Sequence, residues 1–274
     1  MNAVLSDLNS TALARVLPLD VNQLAHRAPA AFADHPAGKT SSKYVFLSTK
    51  ALIDALFEAG FVATAANQTH SRRGSDPAYA RHMLRFQHPR DSVTLVDAIP
   101  QIVLINAHDG SSSYELRAGL YRPVCTNGLM VQLGDFGLIH IAHRGNIVRN
   151  VVEAALAMIS DFGRVGEVVQ RMASVKLTPA QRLEFARRAL AVRYPHAQHQ
   201  PVTPEQVVVP RREADARFDV WATYNVVQEN LTRGGLSGRG VTGRNTRTRT
   251  IEAIRQDVRI NNGLWQLAMS MISG

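Results

Sequence analysis

Only one cysteine, Cys125, occurs in 274 residues. A lone thiol excludes an internal disulfide and any CxxC metal or redox site, and it fits a reducing compartment. Long apolar runs are also missing: the longest stretches fall well short of the roughly 18–20 residues that a membrane span requires. The opening MNAVLSDLNSTALARVLPLDV carries acids and polar breaks where a signal peptide needs an unbroken apolar segment. The expectation is a soluble, cytoplasmic protein with no membrane partner. No internal repeat and no sustained heptad is present, which argues against a solenoid or a coiled coil. Acidic residues are scarce, 22 against 31 Lys plus Arg, leaving a formal charge of +9 and a pI near 10.3.

Arginine dominates the basic residues, and its planar fork suits phosphate, so a polyanionic partner is implied, with nucleic acid the commonest kind. The excess concentrates in RGGLSGRGVTGRNTRTR, Arg233 to Arg249, which holds five arginines, five glycines, four hydroxyl residues and no acid. Glycines allow close backbone approach to a ligand, while Arg233, Arg239, Arg244, Arg247 and Arg249 neutralise phosphates. The spacing matches neither a P-loop nor a dinucleotide-binding fingerprint. The alternative is a solvated, pliant basic connector.

Hydrophobic residues at 45% and charged residues at 19% indicate a globular chain. Residues 1–43, rich in alanine and proline, read as a flexible arm. Ordered structure is then expected over 44–175 as an α+β core and over 176–274 as a helical region carrying the basic loop 233–249. Ser48 is placed to cap a helix with apolar positions Ala51, Leu52, Ala55, Leu56 and Ala59, closed by Gly60. FVATAANQTH, RHMLRFQH, PQIVLINAH, SYELRAGLYRPV and GLIHIAH read as strands, and the short connections favour antiparallel pairing. A long helix follows over Asn146–Gln170, interrupted at Gly163 or Gly166. Further helices are predicted over Thr178–Val192, Asp215–Leu231 and Leu264–Met271. The fold class is α+β: helix, antiparallel sheet, long helix, then a mostly helical second half.

The stretches TYNVVQENLTRGGLSGR, LINAHDGSSSYELRAGLYRPVCTNGL and NNGLWQLAM resemble the prophage- and plasmid-encoded proteins of domain-of-unknown-function family 932. The resemblance runs from about Pro29 to about Met269. It implies a mobile-element setting and supplies no catalytic residue. A further likeness, of topology alone, is to single-strand annealing proteins: an aromatic at Tyr44, a helix leaving through Gly60 and Phe61, and antiparallel strands feeding a long helix. That likeness implies a homo-oligomer holding single-stranded DNA along a basic groove.

Other candidates follow from the strands and turns. Alternation sets Arg81, Met83, Arg85 and Gln87 on one face of a strand and His82, Leu84, Phe86 and His88 on the other, suggesting a basic outer face flanked by Arg72 and Arg73. Tyr79 is a base-stacking candidate, whereas Phe86 belongs to the core. His140, His143, Arg144 and Arg149 extend a basic edge. A two-residue gap, as in His140/His143 and His196/His199, points imidazoles to opposite faces of a strand, so no metal site is expected. His108 and Asp109 read as a hairpin turn, Thr126, Asn127 and Gly128 as another, Cys125 as a small buried hydrophobe, and Trp221 and Trp265 as core.

The leading expectation is therefore a non-catalytic nucleic-acid-binding protein of a mobile element, without cofactor, binding single-stranded DNA and promoting strand annealing as a homo-oligomer. One rival is a Mg²⁺-dependent nucleic-acid-processing enzyme built on His108, Asp109 and Glu115, although compact carboxylate spacing is missing. The other is an anti-defence or regulatory protein whose basic surface meets an acidic protein.

Overall fold

The computed structural model describes residues 17–38, 40, 45–69, 76–89, 95–123, 127–134, 136–141, 146–195 and 199–273. The chain divides into two compact units, Met1–Gly163 and Arg164–Gly274. The fold class is α+β, with an antiparallel sheet in the first unit and helices dominating the second.

The first unit begins earlier than expected. Asp20 accepts from the Gln23 amide at 2.8 Å while the Gln23 side chain accepts from the Asp20 amide at 3.0 Å. This reciprocal capping opens α1 (Val21–Arg27), whose Leu24 is fully buried. Pro29 then starts a single 3-10 turn that buries Ala30 and Ala31, and Leu19 donates to the Ala63 carbonyl at 2.8 Å. Residues 17–38 are thus tied to the core and do not form the anticipated arm. Small alanine side chains bury completely while leaving no long apolar period to read.

Ser48 caps α2 (Thr49–Glu58) as anticipated, accepting from the Lys50 amide, and Gly60 leaves it at φ 92°. Six strands follow: β1 (Val62–Gln68), β2 (His82–Gln87), β3 (Ile99–Asn106), β4 (Tyr114–Arg122), β5 (Asn127–Met130) and β6 (Leu138–Ile141). They pair antiparallel in the order β1-β2-β3-β4-β5, with β6 also on β4. The registers lay β5 and β6 end to end along one edge of β4, since Gly119–Arg122 pair with β5 and Tyr114–Arg117 with β6. One face collects Leu84, Phe86, Ile102, Leu104, Leu116, Ala118 and Leu120, all fully buried. Helix α3 (Ile147–Ser160), capped by Asn146, packs on β3, β4 and β6 and against α2. Its end at Asp161 precedes both glycines proposed as the break, and α4 (Phe162–Ser174) continues from there.

In the second unit Thr178 and Gln181 form a second capping box with Pro179 in the first turn of α5 (Pro179–Arg193). After α6 (Pro204–Val207), Asp219 caps α7 (Val220–Arg233), accepting from the Ala222 amide at 2.8 Å. Every residue from Val220 to Thr232 is buried, so α7 is enclosed on all sides and its polar groups need partners. Asn230 donates to the carbonyls of Val207 at 2.8 Å and Val209 at 2.9 Å and accepts from Arg211 Nε at 2.7 Å. Arg212 forks onto both Glu229 oxygens at 2.6 and 2.9 Å. Trp221 and Trp265 are fully buried, with Tyr224 between them, so both tryptophans are core. The last helix, α8 (Ile254–Ser270), starts about ten residues before the expected Leu264; its first turns carry exposed charges that mask the apolar face.

Candidate nucleic-acid interface

The arginine- and glycine-rich segment is a β-hairpin. Gly234 leaves α7 at φ 65°, where a Cβ would meet the Thr248 carbonyl oxygen at 2.6 Å. Strands β7 (Ser237–Arg239) and β8 (Asn245–Arg247) then pair antiparallel, Ser237 with Arg247 and Arg239 with Asn245. The turn is closed by Gly243 N–H donating to Gly240 O at 2.9 Å and Gly240 N–H to Arg244 O at 2.8 Å, with Gly243 at φ 76°. The outer edge of β7 is clamped: Arg239 N–H donates to Pro201 O at 2.9 Å, Gln206 Nε2 to Ser237 O at 2.8 Å, and His199 Nε2 lies 2.8 Å from Arg239 O. A Cβ on Gly238 would fall 1.9 Å from Pro201 O, so only glycine fits there. The segment set as a pliant connector in the alternative is therefore a hydrogen-bonded ribbon. Its glycines serve tight approaches and left-handed turns more than mobility.

Directly opposed residues of an antiparallel pair share a face. Ser237, Arg239, Asn245 and Arg247 accordingly project from one side, and all four are exposed. Arg244 and Arg249 are exposed as well. Among the described residues no carboxylate pairs with Arg239, Arg244, Arg247 or Arg249, whereas Arg233 reaches Glu229 at 3.4 Å. An open recess of about 450 Å³ is lined by Ser237, Gly238, Asn245, Thr246 and Arg247.

The other sequence candidates separate. Arg72, Arg73 and Arg144 lie outside the described residues, as do Cys125, His143 and His196. Tyr79 is half-buried, its hydroxyl 2.8 Å from His35 Nδ1. Arg149 is exposed and paired with Glu153 at 2.7 Å. The basic outer face drawn for β2 is corrected, because all six residues of β2 are buried. Arg85, 6% exposed, lies where Gly119 and Gly128 leave room, since a Cβ on Gly128 would be 2.5 Å from its Cζ; its Nη1 donates to Leu129 O at 3.3 Å. Arg81 is largely buried and faces Glu115 at 3.7 Å, and Arg117 holds the same carboxylate at 2.9 Å. Arg81 and Arg85 are thus both engaged inside the first unit.

The proposed catalytic set of His108, Asp109 and Glu115 is not brought together. Asp109 accepts from the Ser111 amide at 2.9 Å as a turn residue, and Glu115 serves the arginines. His108 instead joins a fully buried group that sequence reading missed. Thr49 Oγ1 lies 2.8 Å from His82 Nε2 and 3.1 Å from His108 Nε2, and Asn106 Nδ2 is 3.3 Å from the same oxygen. His82 Nδ1 faces the Ala80 carbonyl at 3.0 Å, so it carries the proton and Nε2 accepts from the Thr49 hydroxyl. His108 Nε2 then donates to Thr49. The His82 ring is neutral in this scheme. Burial, reinforced by His108, pushes the His82 pKa down to about 3. Among the described residues no group of His, Cys, Asp and Glu is arranged to hold a metal ion, and no helix is long and apolar enough to cross a membrane.

Fold and site define an α+β protein whose second unit displays an arginine-lined β-ribbon. The chain belongs to the family described as Domain of unknown function (DUF932), which matches residues 36–265. Two relatives from Escherichia coli strain K12, the UPF0380 proteins YafZ and YfjQ, are each 37% identical over 256 residues, covering 93% of this chain and 92% of theirs. No solved structure matches.

Proposed function

We propose that the chain binds nucleic acid through the β7–β8 ribbon, with single-stranded DNA as the ligand and strand annealing by a homo-oligomer of a mobile element as the outcome. One observation carries the reading: Arg239, Arg244, Arg247 and Arg249 are exposed on a rigid ribbon with no carboxylate partner among the described residues. Arg239 and Arg247 are diagonal neighbours on one face, which sets their attachment points about 7–8 Å apart. That is close to the screening length at physiological salt, so the two charges still repel. A chain of phosphates converts this repulsion into attraction and uses the bidentate donors. Helix, antiparallel strands and long helix also follow one another in the order that underlies the likeness to annealing proteins.

Fluorescence anisotropy with single- and double-stranded oligonucleotides at several salt concentrations tests this. Four phosphate contacts to a single strand give a slope of log affinity against log salt of roughly −2.8. Absence of binding at low salt, or binding indifferent to salt, ends the reading. Retention of full affinity after Arg239→Gln, Arg244→Gln and Arg247→Gln together ends it equally.

A further inference from the structure

A second group of arginines lies in the same unit, at the C-terminal end of α5. Gly263 of α8 lets the two helices close up, since a Cβ there would stand 2.6 Å from Val192 Cγ1. One turn earlier on α8, Arg259 reaches across and donates from Nη1 to the Val192 carbonyl at 2.6 Å. The neighbouring Arg193 is only 9% exposed. Its guanidinium lies 5.3 Å over the Tyr194 ring, and its Nη2 is 3.5 Å from the Arg249 carbonyl oxygen. Its Nε is buried and has no hydrogen-bond partner. Among the described residues no carboxylate pairs with Arg193, Arg249 or Arg259.

Buried charges are ordinarily paired, because an isolated one forfeits its hydration with nothing in return. Burial lowers the pKa of Arg193, and Arg259 lowers it further against an opposing contribution from Tyr194. The carbonyls closing α5 offer weak compensation through the helix dipole. They are neutral acceptors shared with Arg259 and the Tyr194 amide. The Arg193 and Arg259 guanidinium groups act on one another at the end of α5 without an anion, and make a site that lacks its counter-charge.

We infer that Arg193 and Arg259 form a phosphate-binding site distinct from the exposed face of the ribbon, with Arg193 as its buried anchor. That the phosphate belongs to a nucleic-acid strand rests on the proposed function. Arg249 connects the two features, because it lies two residues beyond β8 and its carbonyl meets Arg193.

The test uses the full chain and inorganic phosphate. Thermal unfolding is followed in tens of millimolar phosphate and in chloride at matched ionic strength. Phosphate raises the Tm of the parent by about 2 °C or more. Arg193→Met removes that gain and leaves the Tm in chloride equal or higher, because it deletes an uncompensated buried charge. A merely structural arginine gives the opposite result, a lower Tm in chloride with the phosphate gain intact, and that overturns the inference. Arg259→Gln, at an exposed position, cuts the phosphate gain without depending on repacking; an unchanged gain in this variant also overturns it. Single-strand affinity in the Arg193→Met variant falls about tenfold, as expected for the loss of one charge-assisted contact. If affinity depends on the ribbon arginines while Arg193→Met matches the parent in both assays, this site is refuted and the proposed function stands. If Arg193→Met abolishes the phosphate gain while the ribbon variant binds DNA like the parent, the site stands and the proposed function fails.

Discussion

His82 shows how a single residue ties stability to pH. In the folded chain its pKa is held at about 3 by burial and by His108, against an ordinary 6.5. The unfolded chain therefore binds the extra proton over that interval, and stability falls as pH drops from 6.5 towards 3, with no further loss from this group below. The slope is at most about 1.4 kcal/mol per pH unit. Urea unfolding at pH 7.5 and pH 5 is expected to show the parent losing about 2 kcal/mol more than His82→Gln. Equal losses in the two proteins would remove His82 as the cause. The group was illegible in the sequence because Thr49 and His82 are 33 residues apart and Thr49 and His108 are 59 apart. His108 was noticed only for its neighbour Asp109, which forms the turn that its Asp-Gly pair signals. Arg85 was assigned to the correct side of its strand. Alternation says nothing about whether that side meets solvent, and two glycines on β4 and β5 made the space that hides it.

Among the elements, α7 depends most on matched polar groups, and its ion pairs make the dependence measurable. Glu229 and Asp215, each 2% exposed, both pair with Arg212. Arg212→Ala removes the guanidinium shared by two buried carboxylates, with the half-exposed Arg233 still near Glu229. The expected destabilisation in urea is about 3–5 kcal/mol. Replacing Arg212, Asp215 and Glu229 together by apolar residues of similar size recovers most of it; a triple variant as unstable as Arg212→Ala would show that the ions contribute more than mutual neutralisation. A cap made α2 legible through Ser48, and the helix starts expected at Asn146 and Thr178 fall on the residues that cap α3 and α5. The same signal stood in Asp20 and Gln23 ahead of α1 and passed unused, because a two-turn helix offers too few apolar positions to support it. The ribbon was recognised by charge and misread in mechanics. Its glycines suggested looseness, whereas the clamp on β7 by His199, Pro201 and Gln206 involves residues some 30–40 positions away that no local pattern announces.

Across the whole chain, charge is divided unequally between the two units. Met1–Gly163 carries 14 Lys and Arg against 13 Asp and Glu, while Arg164–Gly274 carries 17 against 9. Nearly all the excess therefore belongs to the second unit. There, three of the nine acids, Asp215, Asp219 and Glu229, are buried in ion pairs, so the surface field comes chiefly from arginines that retain their charge. A chain binding DNA by diffuse positive charge loses affinity about equally wherever one arginine is neutralised. A chain binding through the ribbon does not. Neutralising Arg239, Arg244 and Arg247 together is expected to flatten the salt slope by about 2, at roughly 0.7 per single-strand contact. Arg149→Gln, equally exposed but already paired with Glu153 in the first unit, is expected to leave the slope unchanged. Slopes measured for the parent and both variants over one salt series separate these cases. A comparable shift per arginine removed in both variants would mean that net charge alone governs binding, and the rigidity of the ribbon would then have no part in it.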